Sequence, residues 1–215
     1  MECRTRLLFC IIAVRTTALA PSFDTFSAAA TGSWHGTQYQ WPGDTNGVPC
    51  TSVVDEVMRS CGGAVQGVRV DEGPLLNRQD DGFCFFDCGS WTQGPTKLTD
   101  GALSLDVGLV AQSGSRVRCM ASISARHVVD ATVVVEEKAG AAPLAKRESL
   151  AAEATTPPVD AVALPGGISI ACVEKDGATD VVVHADDVSL ARSYDASGAL
   201  VAISLHAPSP QDGAD

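Results

Sequence analysis

Three runs, ALSLDVGLVA (102–111), RVRCMASISA (116–125) and VVDATVVVEEK (128–138), lie close together in the chain, the first two joined by QSGS (112–115). The first two read as a pair of strands joined by a turn, and the third completes the block with many β-branched residues, which favour strands. The joining residues are small and polar with one glycine, which suits a hairpin turn. The same grammar extends upstream. WHGTQYQW (34–41) ends in the turn residues GDTNG (43–47), and TSVVDEVMR (51–59) is followed by CGG (61–63), a run at 64–70 and a brief apolar run at 83–86. Downstream, strands are expected at 167–174, 180–184, 188–194 and 199–206, with KDG (175–177) and DASG (195–198) as turns. The expectation is therefore an all-β, antiparallel up-and-down barrel of about ten strands. No long amphipathic helix alternates with the strands, which excludes a doubly wound nucleotide-binding fold. A short N-terminal helix over 21–30 would plug one end.

Composition narrows the class further. Of 215 residues, 45% are hydrophobic and 19% charged, which excludes a coiled coil, a collagen-like fibre and a disordered chain. The net charge of −11 argues against nucleic acid as a partner, because phosphate binding needs a basic footprint.

Residues 1–20 read as a leader: Arg4 and Arg6, then the apolar run LLFCIIAV (7–14), then the small-x-small pattern Ala18-Leu19-Ala20. The run is too short to span a bilayer, which takes about 20 residues. Ala18-Leu19-Ala20-Pro21-Ser22-Phe23 also resembles the junction of two-part leaders that lead through the secretory pathway into plastids. The expected compartment is the plastid, with secretion as the alternative, and 21–30 is either transit segment or helix. Removing 1–20 leaves Cys50, Cys61, Cys84, Cys88, Cys119 and Cys172, which would pair in an oxidising lumen and stay free in a stroma. No Cys-x-x-Cys pair is present, and the histidines His35, His127, His184 and His206 are scattered, so no metal and no cofactor is expected. The barrel would occupy 31–206, interrupted by an Ala/Pro-rich insertion at 139–165 and followed by a disordered tail at 207–215.

Gly32-Ser33-Trp34 with Gly36 is similar to the Gly-x-Trp opening of lipocalin-like barrels. FCFFDCGSWTQGPTKL (83–98), LSLDVGLVAQSGSRVRCMASI (103–123) and ARSYDASGALVAISL (191–205), in that order, resemble a calycin family of unknown function from cyanobacteria and plastid-bearing algae. That family is related in fold to fatty-acid-binding proteins and phycobilin lyases. Its members are longer, with a second barrel-like half, so here the last four strands are expected to close a single barrel rather than leave open edges.

Enzyme signatures are lacking: no nucleophile elbow, no His-Glu-x-x-His, no P-loop and no Gly-x-Gly-x-x-Gly. The acid pairs Asp80-Asp81, Glu136-Glu137 and Asp186-Asp187 are adjacent, so on strands their members point to opposite faces. Arg192 and Tyr194 stand at i and i+2 and share a face. If inward, a guanidinium and a phenol make a receptor for one carboxylate, and the pair resembles the Arg-x-Tyr that holds the acid group in fatty-acid-binding proteins. Alternatively Arg192 caps the barrel by stacking on Trp34. Arg116 and Arg118 form a second such clamp, and Tyr39 and Trp41 share a face that is core and pocket at once. The function expected is binding of a small apolar or amphipathic ligand (a fatty acid, pigment or isoprenoid) in the barrel. A phycobilin lyase-like role, with arginines on propionates and Asp106 or Asp130 as the acid, is the alternative. A ligand-free structural barrel acting through its acidic surface is the other.

Overall fold

The computed structural model describes residues 22–42, 49–61, 64–68, 75–77, 82–99, 102–110, 115–124, 127–139, 161–164, 167–185 and 188–206. The proposed leader at 1–20, most of the insertion at 139–165 and the tail at 207–215 lie outside these residues. One helix, α1 (Phe23–Ala30), precedes strands β1 (Gly32–Pro42), β2 (Cys50–Cys61), β3 (Ala64–Val68), β4 (Leu75–Asn77), β5 (Phe83–Phe85), β6 (Trp91–Gln93), β7 (Leu103–Val110), β8 (Ser115–Ser124) and β9 (His127–Lys138). Then follow β10 (Val162–Leu164), β11 (Ile168–Lys175), β12 (Ala178–Ala185), β13 (Val188–Tyr194) and β14 (Leu200–His206).

The all-β antiparallel class holds, but the ladders form two sheets rather than one continuous barrel. The first has nine strands in the order β4-β3-β2-β1-β9-β8-β7-β6-β5 and curls strongly into a half-barrel. The second has five, β10 to β14 in sequence order. The described strands number fourteen rather than ten. The additions, β4, β6 and β10, have three residues each, too few for a period of two to show. One of them, β10, falls inside the stretch read as an insertion.

Closure is achieved by packing. Odd-numbered residues of the long strands (Leu105, Val107, Cys119, Val133) face Ile168, Ile170, Val181, Val183 and Leu190 of the second sheet in one core. A short stitch joins the two sheets at one corner. Leu98 N–H donates to Gly198 O and Leu200 N–H donates to Thr96 O, each at 2.8 Å, around a Lys97–Ala199 bridge.

The opposite face of the nine-stranded sheet is its concave side, and α1 fills it. Phe26 is fully buried, with its ring centroid 5.3 Å from Phe85 and 6.4 Å from Trp91. Met58, Val65 and Leu76 from the far end of the sheet join the same cluster. The helix thus ties the two ends of the curled sheet together. It stops where Thr31 takes an extended conformation and Gly32 turns to φ +135°, a value that suits glycine.

Candidate functional site

Strand pairing decides which polar side chains meet inside the half-barrel. Trp34 stands opposite Glu56 on β2, and Arg116 stands opposite Glu136 on β9. Directly opposed residues share a face, so Trp34, Glu56, Glu136, Arg116 and Arg118 all point into the concave side. The Arg116 Nε donates to Glu136 Oε2 at 2.8 Å and its Nη2 donates to Glu56 Oε2 at 2.7 Å, with both carboxylates fully buried. Its Nη1 points at the Met58 sulfur. Its plane stacks 4.2 Å over Trp34, and Trp91 flanks it at 5.3 Å. Arg118 makes a two-pronged pair with Asp106, Nε to Oδ1 at 3.0 Å and Nη2 to Oδ2, while its Nη1 lies 3.6 Å from Glu56 Oε1.

Three carboxylates thus face two guanidiniums, Glu56 and Glu136 away from water and Asp106 in part reached by it. Burial, reinforced by the Glu56 carboxylate, raises the Glu136 pKa against the pull of Arg116 and Arg118. Burial pulls Arg118 the other way, but Asp106, Glu56 and Glu136 more than offset it and the guanidinium holds its proton more tightly than usual. Cys119, on the other face of the same strand, is pushed up to about 12 by burial and by Asp106, so its thiol is unreactive.

The lumen is filled by side chains. The glycines that would leave room for a ligand instead admit protein groups. A Cβ at Gly108 would overlap the Trp91 ring, and one at Gly36 would come within 2.8 Å of Glu136 Cγ. Arg116 and Arg118 are therefore inward, as the first part of the clamp reading requires, but their donors go to Glu136, Glu56 and Asp106 rather than to a ligand acid. The same pairing engages Asp106 and Arg118, two of the residues that a tetrapyrrole site of the lyase kind would use.

Arg192 and Tyr194 also point inward and are buried, at 1% and 0% exposure, but on the second sheet. Arg192 Nε donates to Tyr194 Oη at 3.1 Å, Nη1 to Gly82 O at 3.0 Å and Thr92 Oγ1 at 3.3 Å, and Nη2 to Gly94 O and Pro95 O at 3.1 Å each. The phenol donates to Pro95 O at 3.0 Å. A guanidinium has five N–H donors, and all of them are engaged. In this arrangement the pair is a staple holding 82–95 against β13. Nor does Arg192 stack on Trp34, a place taken by Arg116 and by Lys138 at 5.6 Å. Tyr39 and Trp41 pack half-buried against the inter-sheet core, on the side away from Trp34.

Sequence reasoning missed Glu56, Glu136 and Trp91. The alternation that set aside the Glu136-Glu137 pair already places Glu136 on the Arg116 face, so the signal was present for that residue.

Among the described residues, two hollows lie between the sheets. A cleft of about 460 Å³ is bounded by Val128, Val162, Ile170, Cys172 and Val173, with His127 and Glu174 as its polar groups. A second hollow of about 170 Å³ shares Cys172 and Glu174 with it and is walled by Leu98, Leu103 and Ile123. The described cysteines Cys50, Cys84, Cys88, Cys119 and Cys172 are free thiols. Among the described residues no group of three His, Cys, Asp or Glu stands close enough together to hold a metal ion. No described helix is long and apolar enough to cross a membrane.

No protein-family description matches the sequence, and no curated protein matches it. Among solved structures the chain is similar to a protein of unknown function from the DUF3598 family of Nostoc punctiforme. The sequence identity is 14% and the TM-score 0.54, over 86% of this chain and 97% of that one. The likeness shows the fold.

Proposed function

We propose that the protein is a calycin-like binding protein that holds one small apolar or amphipathic molecule, a fatty acid, pigment or isoprenoid, in the cleft between its two sheets. The observation that carries this reading is the cleft itself. Its volume falls within the ~300–1,000 Å³ typical of small-molecule sites, and Val128, Val162 and Ile170 give it an aliphatic side beside a polar one that carries His127 and Glu174. His127 and Glu174 would meet the polar end of the molecule. Arg192 and Tyr194, with their donors committed, would contribute only by fixing the second sheet.

Native mass spectrometry of the protein purified from its own cells, followed by solvent extraction, tests the reading. A stoichiometric mass excess that extracts as a lipid or pigment is the expected result. Titration with a fluorescent polyene fatty acid then locates the site. Val162→Trp, which fills the cleft from the short edge strand β10, should abolish binding, while Tyr194→Phe should leave affinity unchanged. The reverse pattern would return the site to the Arg192–Tyr194 pair. The same purified material, sequenced from its N-terminus, tests the leader: a start at Pro21 is expected.

A second reading draws on the filled lumen. A half-barrel packed with Trp34, Trp91, Arg116 and Arg118 needs no ligand to be complete, which favours a structural barrel acting through its acidic surface. A bare mass together with no response to the fatty-acid probe would favour it.

A further inference from the structure

Inside the half-barrel the carboxylates outnumber the guanidiniums, and their geometry shows where the excess falls. Arg116 Nη2 serves two of them at once, Glu136 Oε2 at 2.6 Å and Glu56 Oε2 at 2.7 Å. Both contacts that Glu136 receives from Arg116 fall on Oε2, and its Oε1 is buried without a hydrogen-bond partner. A carboxylate oxygen left in that state disfavours the charged form and invites a proton. The other groups around it do not supply the missing positive charge. Arg118 on β8 is paired with Asp106 on β7, and strands β3 to β6 have no charged residue. Lys138, on the same face of β9 as Glu136, turns its Nζ to the Trp34 ring and the Ala29 carbonyl. Asp24, the one charged residue of α1, is exposed.

The side chains stacked on this cluster also hold α1. Trp34 Nε1 donates to Ala30 O at 3.1 Å and Lys138 Nζ donates to Ala29 O at 3.0 Å. The last turn of the helix is thus tied to the ring that lies 4.2 Å from Arg116. Phe26 rests against Trp91, which flanks the same guanidinium. With eight residues α1 is too short to be stable by itself in water, so its seat depends on these contacts.

We propose that the cluster is a proton-controlled latch on α1: a proton on Glu136 keeps the helix seated in the half-barrel, and loss of that proton releases it. With the proton in place, two carboxylates face two guanidiniums and the charges cancel. Without it, one negative charge is unmatched beside Arg116. Water is the remaining source of relief, and α1 covers the concave side that water must enter. The raised pKa of Glu136 agrees with this assignment. Release bares the Phe26, Trp34 and Trp91 faces, and acidification seats the helix again.

Hydrogen exchange of the full chain, read by mass spectrometry from pH 5 to pH 8 and corrected for the intrinsic rate, tests the latch. A proton held by the seated form and not by the open one makes opening rise by up to about tenfold per pH unit, levelling off above the folded-state value. Protection of peptides covering 23–31 should therefore fall by about tenfold or more across this range, while peptides of β11 and β12 keep theirs. Glu136→Gln, neutral at every pH, should hold α1 equally protected throughout. Wild-type protection over 23–31 that does not change with pH would overturn the proposal, whether or not the variant folds. So would a pH dependence that survives in Glu136→Gln, or a loss shared equally by β11 and β12, the mark of global unfolding.

Discussion

Arg116→Met is the sharpest probe of the filled half-barrel. Methionine keeps much of the apolar stem but removes the cation that two fully buried carboxylates share. Removing one partner of a buried pair costs about 3–5 kcal/mol, because the remaining charge is stranded away from water. The lost stacking on Trp34 and Trp91 adds about 0.5–2 kcal/mol. Together these predict a loss of roughly 4–6 kcal/mol at neutral pH. For a domain of this size that corresponds to a fall in Tm of about 10–20 °C. The loss should shrink as pH falls, because burial already raises the Glu136 pKa and its protonation removes a stranded charge. Thermal melts by circular dichroism, paired with urea titrations to check that the m-value is unchanged, supply the measurement. The triple variant Arg116→Met, Glu56→Gln, Glu136→Gln should recover most of the loss, since it removes the stranded charges as well. A single variant that loses less than about 1 kcal/mol, or a triple no more stable than the single, would refute the argument that these carboxylates depend on Arg116.

Three further predictions follow from the same geometry. Glu136 has a raised pKa in the folded state, so its contribution to stability is full below the ordinary carboxylate range and is lost as pH rises through the folded value; Glu136→Gln should remove that slope, visible as a smaller Tm difference between pH 5 and pH 7. Arg192→Met strips the donor from the Gly82 and Gly94 carbonyls, while Pro95 O keeps the Tyr194 phenol, and at ~1–3 kcal/mol for each acceptor left without a partner it should cost roughly 2–6 kcal/mol in urea denaturation. Gly108→Ala introduces a Cβ into the space of the Trp91 ring, and overpacking of this kind should cost about 1–3 kcal/mol with a change in Trp fluorescence; an unchanged spectrum and Tm would show that the ring does not rest on that glycine.

The positions of the long strands and the antiparallel class were legible because these runs are seven residues or longer and are bounded by turn residues. The central runs at 102–111, 116–125 and 128–138 match β7, β8 and β9 to within a residue or so at each end. Parity also put Arg116 with Arg118, and Arg192 with Tyr194, on one face, though it left open whether that face was inward. What parity cannot supply is the partner. Glu56 reaches Arg116 across 60 positions, and Pro95 reaches Tyr194 across 99; no local pattern encodes such meetings. The division into two sheets was illegible for a related reason. It depends on three-residue strands and on a break between β9 and β10, while the short-range pattern of either sheet is the same.

The staple at Arg192 has a consequence for how the chain is made. Its acceptors lie at 82–95, and the side chain that ties them lies about a hundred residues later, with separations of 97 to 110. Helix α1 is bound over a similar span, through the Lys138 Nζ that donates to Ala29 O. Contacts this distant in sequence slow folding. During synthesis the half-barrel leaves the ribosome with the face destined for the second sheet uncovered, and it stays so until the last strands emerge. The final quarter of the polypeptide therefore acts as the clasp of the whole molecule, and a chain truncated before Val162 would present the half-barrel's share of the inter-sheet core to chaperones and proteases.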